Sequence, residues 1–556
     1  MRGRSETGAK ILIIGLDGAS PDLVGRWVAE GKLPHLGSLV ERGVLGELAS
    51  APNAMSPAAW SSFITGLEPG RHGIFYFLDR IPGTYRTRYV NATSRDGTPV
   101  WSALSAAGKR VASLFVPLTY PAVEVNGVLA SGWLAPSIED PRYAFPRDLP
   151  RRMLAVAPEF RLHTGMTEFV RRGRHGEVLE LKRISVGAKA KVAANLLASE
   201  SWDLFIAAFD ETDPVQHYFW HFQDPRHPHY TPEGQRRFGD AILRIYQAAD
   251  DAVGRLLALT GEDTYVFVMS DHGFGLNSRG QLYLRGLLRA HGLQRGLNGS
   301  GRGLPGMAAR RAYDLLYRVL PSDTKHRLAG RFPSLHEKLM HTSFAGDIDW
   351  SATKAYTFWS SGCCEPWINV RGRDPEGIVD PGDEYDDMVA RVTEVIMEAR
   401  DAATGEPAAE GVDLRDDIYY GPHVDRAPDL LVRWRPDLVV QGLRSPGLGK
   451  VCDTPVAEDL RTGSHQPQGV LVAAGPKGQV GPMPEGASIA DLAPTVYGLL
   501  DIPPPHPLDG RPWTELFPRA IRVREAEDLV PVLATGEASG EDAMVIEKRL
   551  EDLGYL

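Results

Sequence analysis

Residues 11–18 read ILIIGLDG: an apolar run of six residues that stops at Asp17. A run this short, closed at once by an acid, fits a strand buried on both faces of a sheet. Four more runs have the same character, namely VASLFVP (111–117), LFIAAF (204–209), YVFVMS (265–270) and VLVAAGP (470–476). Helical patterns separate many of them. SPDLVGRWVAEGK offers Ser20 or Asp22 as an N-cap, and DAILRIYQAADDAVGRLLALTG and DEYDDMVARVTEVIMEARDA repeat apolar residues at helical spacing. The alternation predicts an α/β fold, a doubly wound and mostly parallel sheet with inserted cap or lid segments.

Three of the strands end in acid. ILIIGL runs into Asp17, LFIAAF into Asp210 and then Asp213, and YVFVMS into Asp271 and His272. Ligand sites in open α/β sheets lie at the carboxyl ends of strands, so carboxylates at several such ends can converge on one crevice. Each acid alone also reads as a strand-end turn residue or a helix cap.

Composition narrows the classes. Of 556 residues, 43% are hydrophobic and 24% charged, an ordinary globular balance. A net charge of −10 argues against a general nucleic-acid or anionic-membrane binder, which needs a basic surface. Cys363, Cys364 and Cys452 form neither a disulfide framework nor a CxxC zinc motif. The apolar part of MRGRSETGAKILIIGLDG is too short for a signal peptide, and no run of about 18 apolar residues exists to span a membrane. The expected compartment is the cytoplasm. Residues 279–338 stand apart, with twelve Arg or Lys against three acids. They read as a basic insertion or lid that draws anionic substrates by its local field, or as a solvated basic face. The expected division is a core over 8–278, the insertion over 279–345, the rest of the core over 346–518 and a helical tail over 519–556.

Metal-ligating residue types recur near these strand ends. In FDETDPVQHYFWHF, Asp213 and His217 lie at i, i+4 and share one helix face; His217 and His221 form a competing pair, and Asp210 is a further candidate. SDHG sets Asp271 and His272 side by side in a turn, where both can bend toward one ion. GSHQPQG adds His465 just before the strand VLVAAGP.

The ordered set of ILIIGLDG, MSPAAWSSFITGLEPGRHGI, TDPVQH, MSDHGF, GSHQPQGVLVAAGP, ADLAPTVYGLLDI and LDGRPW resembles the alkaline phosphatase superfamily, most closely its type I phosphodiesterase and nucleotide pyrophosphatase branch. WINVRGRDPEGIV and GPHVDRAPDLL are similar to microbial members of that branch. The resemblance implies two divalent ions, zinc or manganese. Asp17, Asp271 and His272 would hold one together with the oxygen of Ser56, and Asp213, His217 and His465 the other. It thus favours Asp213 over Asp210 and His217 over His221. Counting back from Thr65-Gly66 places the nucleophile at Ser56, whose neighbour Pro57 suits the first turn of a helix; by itself Ser56 also reads as an N-cap. The implied reaction is metal-dependent phosphoester hydrolysis through a phosphoseryl intermediate, on a small phosphoester substrate. Two divalent cations against Asp17, Asp213 and Asp271 leave one positive charge, which a serine alkoxide cancels, so a monoanionic diester meets little repulsion. A dianionic monoester would gain from an added Arg, for which Arg71 and Arg461 are candidates.

The chain departs from nucleotide-cleaving relatives at two places. Pro57-Ala58-Ala59-Trp60 replaces Phe-Pro-Asn-His, and Phe75-Tyr76-Phe77 follows Ile74 where an asparagine is usual. Trp60, Tyr76 and Phe77 are the expected substrate-binding aromatics. The alternatives are a phosphomonoesterase, a metal-dependent phosphomutase, or a metal-binding relative that has lost catalysis. A phosphomutase would carry its large insertion soon after the Ser56 helix rather than after SDHG, and a sulfatase would need an arginine that MSPAAW lacks.

Overall fold

Along strand β1 (Gly8–Leu16), Leu12, Ile14 and Leu16 enter one hydrophobic cluster while Ile11 and Ile13 enter another, as the two-residue period of a strand requires. The same split sends Phe205, Ala207 and Phe209 to one side and Leu204, Ile206 and Ala208 to the other. Both faces are therefore buried, which explains runs that are apolar throughout instead of alternating.

The computed structural model describes residues 8–296, 348–358, 365–452 and 460–517, with short pieces at 455, 520–522, 524–527, 533–534, 545–547 and 549–550. The central sheet takes, after β1, strands β2 (Val44–Ala49), β3 (Val111–Leu114), β4 (Gly127–Ala130), β5 (Ala144–Phe145), β6 (Ser201–Phe209), β7 (Tyr265–Met269) and β8 (Gln468–Ala474) in the order β2-β8-β7-β1-β6-β3-β4-β5. Strand β1 pairs in parallel with both β6 and β7, and β3 in parallel with β6 and β4. The fold is α/β with a mostly parallel sheet. Two strands run against the rest: β5 is antiparallel to β4, and β8 is antiparallel to β7 and β2. The run VLVAAGP carries no sign of this reversal within a mostly parallel sheet, because burial on both faces yields the same apolar run whichever way a strand points.

Helices Pro21–Ala29, Pro34–Glu41, His175–Ser199, Thr212–Gln223 and Ala241–Leu257 cover one face, and Ser56–Thr65, Val100–Ala106 and Leu492–Leu500 the other. The carboxyl ends of β7, β1 and β6 consequently lie side by side, with Leu16 opposite Phe209 and Gly15 opposite Met269.

A separate hydrophobic cluster joins Leu282, Leu284, Leu287 and Leu288 of helix Gln281–Ala290 to Val392 and Val395 of helix Asp383–Glu398 and to Leu430 and Val432 of strand Leu430–Trp434. This cluster is the core of a cap distinct from the two cores that flank the central sheet. Among the described residues, members from Leu282 to Leu293 and from Ala355 to Leu443 contribute to this one small core. Periodicity shows that a helix has an apolar face but not which core receives it. Residues 297–347, which hold much of the basic stretch, lie outside the described residues. So does most of the expected tail, although Ile546 and Leu550 are buried against the cluster that contains Phe77 and Trp133. No helix among the described residues is long and apolar enough to cross a membrane.

Candidate active site

Three neighbouring strand ends deliver the acids. Asp17 follows β1, Asp271 and His272 follow β7, and the helix Thr212–Gln223 that follows β6 carries Asp213 and His217 one turn apart. His465 arrives on a short antiparallel ribbon in which Gly463–Gln466 pairs with Gly273–Leu276 and places it opposite Phe274. Its ring stacks on His272, with centroids 3.6 Å apart. Ser56 approaches from the other face of the sheet as the first residue of Ser56–Thr65. Met55 holds the N-cap position, and the Ser56 hydroxyl, free of any capping bond, lies 3.1 Å from His272 Nε2.

The seven expected residues are thus drawn together. His217 Nε2 lies 3.4 Å from Asp213 Oδ1 and 3.1 Å from His465 Nε2, and His465 Nε2 lies 3.2 Å from Asp213 Oδ1. Tetrahedral coordination at ~2.0–2.1 Å would put ligand atoms about 3.3 Å apart, so these three atoms have the spacing of a divalent-cation cradle. His272 Nε2 lies 3.6 Å from Asp17 Oδ1, 3.3 Å from Asp271 Oδ2 and 4.0 Å from Asp213 Oδ1. Asp17, Asp271 and His272 form one group of ligand atoms that could hold an ion; His272 also belongs to a second group with Asp213 and His465.

The hydrogen bonds around the cluster fix which atoms face inward. Each histidine donates Nδ1–H to a backbone carbonyl: His217 to Gly463 at 2.8 Å, His465 to Ala54 at 2.9 Å and His272 to Gly273 at 3.0 Å. A carbonyl can only accept, so all three Nε2 atoms turn lone pairs into the cluster. Burial pushes His217 down to about 3 and also lowers His272, which keeps those lone pairs free at neutral pH. Asp271 Oδ1 accepts from Gly18 N at 3.0 Å. Asp17 Oδ1 and Asp271 Oδ2 are buried and accept no hydrogen bond among the described residues. Burial, and then the charges of Asp271, Asp213 and Asp210, push Asp17 well above the usual carboxylate range. Buried carboxylates that repel one another beside neutral imidazoles fit divalent cations, which would supply the missing positive charge.

Residues left open by the sequence have other partners. Asp210 is ion-paired with buried Lys189, and that lysine also reaches Glu211 at 2.9 Å. The ring of His221 bonds Thr462 Oγ1 at 3.2 Å through Nδ1. Arg71 pairs with Asp509 at 2.7 Å, whereas Arg461, 7% exposed, lines a cavity of about 400 Å³ that His217 and His465 also border. Tyr76 lines the same cavity. Phe77 instead packs against Trp133, with ring centroids 5.8 Å apart.

Trp60 departs most from expectation. It is 0% exposed and lies in the core beneath the sheet, where its Nε1–H donates to Asp17 Oδ2 at 3.3 Å. The indole fits because residue 15 is glycine, since a Cβ there would come within 2.5 Å of the ring. Trp60 is corrected from a pocket wall to a group that holds Asp17 from below, because the helix turns residue 60 toward the sheet. The one local signal was Gly15 inside an otherwise bulky strand.

A family model for type I phosphodiesterase/nucleotide pyrophosphatase matches residues 11–450. The chain belongs to that family. It is a phosphoester hydrolase of the phosphodiesterase and nucleotide pyrophosphatase type, from a metal-dependent superfamily. The family match ends before His465, which its pairing with the strand Gly273–Leu276 brings to the cluster. Phosphonoacetate hydrolase from Sinorhizobium meliloti 1021, solved with phosphonoformate, shares the fold at a TM-score of 0.51 and 15% identity, over 88% of this chain and 96% of that one. Human ectonucleotide pyrophosphatase/phosphodiesterase 5 aligns at a TM-score of 0.47 and 12% identity, over 91% of this chain and 99% of its own. No curated protein sequence matches the chain.

Proposed function

We propose that the protein hydrolyses small phosphodiesters at a two-cation site with Ser56 as the nucleophile. The observation that carries this reading is the meeting of Ser56 Oγ with three histidine Nε2 atoms and three aspartates at adjacent strand ends. Asp17, Asp271, His272 and Ser56 would hold one cation, and Asp213, His217 and His465 the other. The nitrogen and oxygen donors and their spacing suit zinc, with manganese as the alternative. Once bound, the cations would favour the ionised Ser56 hydroxyl and offset charge on the phosphoryl oxygens.

Ser56 is placed to form an Oγ–P bond while the bond from phosphorus to the leaving oxygen breaks. Water then cleaves the phosphoseryl ester, restores the hydroxyl and releases a phosphomonoester. The first turn of Ser56–Thr65 presents its backbone N–H groups beside the reacting oxygen, an arrangement favourable to phosphate. Arg461 adds a positive charge at the cavity wall beside His217, suited to a phosphoryl oxygen. The three cysteines keep the cytoplasm as the favoured compartment.

The test compares hydrolysis of bis(4-nitrophenyl) phosphate and 4-nitrophenyl phosphate by the zinc- and manganese-loaded chain. Preference for the diester is expected, with Ser56→Ala lowering kcat on the order of 10³-fold. Wild-type turnover in Ser56→Ala would sink the nucleophile assignment. His465→Ala should lose one of two bound ions in elemental analysis, and retention of both would remove His465 from the ligand set.

A further inference from the structure

The cavity of about 400 Å³ beside His217 and His465 is walled on one side by the cap, through Glu365 and Trp434 among others. It falls in the lower part of the ~300–1,000 Å³ range of small-molecule sites, enough for a phosphoryl group and one further ring. Trp434 ends the strand Leu430–Trp434, and its indole lies directly on Gly280, where an added Cβ would come within 2.1 Å of the ring. Backbone contact thus fixes the orientation of the aromatic wall.

Polar groups of both hydrogen-bonding kinds surround it. Gln281, Ser464, Gln466 and Glu410 line the cavity, and their side chains make no hydrogen bond among the described residues; nor does the indole N–H of Trp434. Glu365 accepts from Val432 N at 2.8 Å through one oxygen, which leaves the other for a ligand. Burial pushes its carboxyl up to about 8, so near neutral pH it keeps a proton and can donate.

We propose that the leaving group of the substrate is a polyhydroxylated alcohol, a sugar or polyol, seated against Trp434 and hydrogen-bonded by Glu365, Gln281, Ser464 and Gln466. The assignment rests on the phosphodiester reading of the Ser56 cluster and names the class of diester. An aryl or acyl leaving group would cover these amides and hydroxyls without pairing them, at about 1–3 kcal/mol for each buried group left unsatisfied. Hydroxyls both donate and accept, which matches a wall of amides, a serine and a protonated acid. The C–H face of a sugar or polyol ring presents apolar surface to the indole. A site built to bond hydroxyls rejects analogues that lack them, so the cap would set specificity while the strand ends perform the chemistry.

The decisive measurement is calorimetric binding of glycerophosphoinositol to zinc-loaded Ser56→Ala protein. Binding is expected to weaken at least tenfold on adding Trp434→Ala, and less for bis(4-nitrophenyl) phosphate, which has no hydroxyls. If Trp434→Ala lowers Tm enough to disturb folding, the Gln281→Ala/Gln466→Ala pair carries the same expectation. Equal losses for the two ligands, or no binding of glycerophosphoinositol where the nitrophenyl diester binds, would overturn the polyol assignment. Wild-type enzyme that turns over neither diester would instead overturn the phosphodiesterase reading, and the binding ratio would still decide the class of ligand.

Discussion

Asp17 shows how one residue combines charge with support. Its Oδ1 faces His272 Nε2 at 3.6 Å, and its Oδ2 accepts from the Trp60 indole at 3.3 Å. The indole hydrogen bond holds one oxygen so that the other stays directed into the cluster, and such supporting bonds commonly account for 10–100-fold in metal affinity. Trp60→Phe keeps most of the ring and removes the N–H. Zinc titration of the variant should show affinity reduced about tenfold or more, and unchanged affinity would show that Asp17 needs no donor from below. The acids and histidines were legible at this scale because metal chemistry restricts residue type. The role of Trp60 was not, since nothing in PAAW tells which side of the helix meets the sheet.

At the scale of elements, the site depends on two helices that reach the carboxyl ends of the same central strands from opposite faces. Thr212–Gln223 carries Asp213 and His217, and Ser56–Thr65 carries Ser56 and Trp60. Gly15 in β1 is what lets the second helix lie close, since a Cβ would come within 2.5 Å of the Trp60 ring and the indole is too rigid to yield locally. Gly15→Ala should therefore destabilise the fold by about 1–3 kcal/mol through overpacking, read as a lower Tm, and should displace the Asp17 donor. A Tm equal to wild type would mean that the helix can retreat without cost. The strands of the central sheet were visible as apolar runs. The direction of β8 was hidden, because hydrogen-bond polarity leaves no mark on a strand buried on both faces.

Across the whole molecule, distant segments meet in electrostatic environments that no local window contains. Glu68, just past the Ser56 helix, lies near Asp509 and Asp491 from the far end of the chain; burial first, then those two charges, push its carboxyl up to about 7. The folded protein thus retains a proton that the unfolded chain releases near pH 4.5. Glu68 accordingly costs stability progressively as pH rises from about 4.5 to 7, with no further change above. Glu68→Gln removes that cost, so its Tm should gain on wild type as pH is raised from 5 to 8. A difference that stays constant with pH would show that Glu68 titrates normally. The sequence by itself determined the α/β class, the acids at strand ends and the donor types for divalent cations, because burial on both faces and metal chemistry each restrict which residues can occupy a position. Only the tertiary structure decided that β7, β1 and β6 are neighbours, that a long-range antiparallel pairing sets His465 against His272, that Trp60 lies beneath Asp17 and that the cap supplies part of the cavity wall. Those are contacts between residues tens to hundreds of positions apart, fixed by which apolar faces bury one another, and no local pattern along the chain encodes that choice.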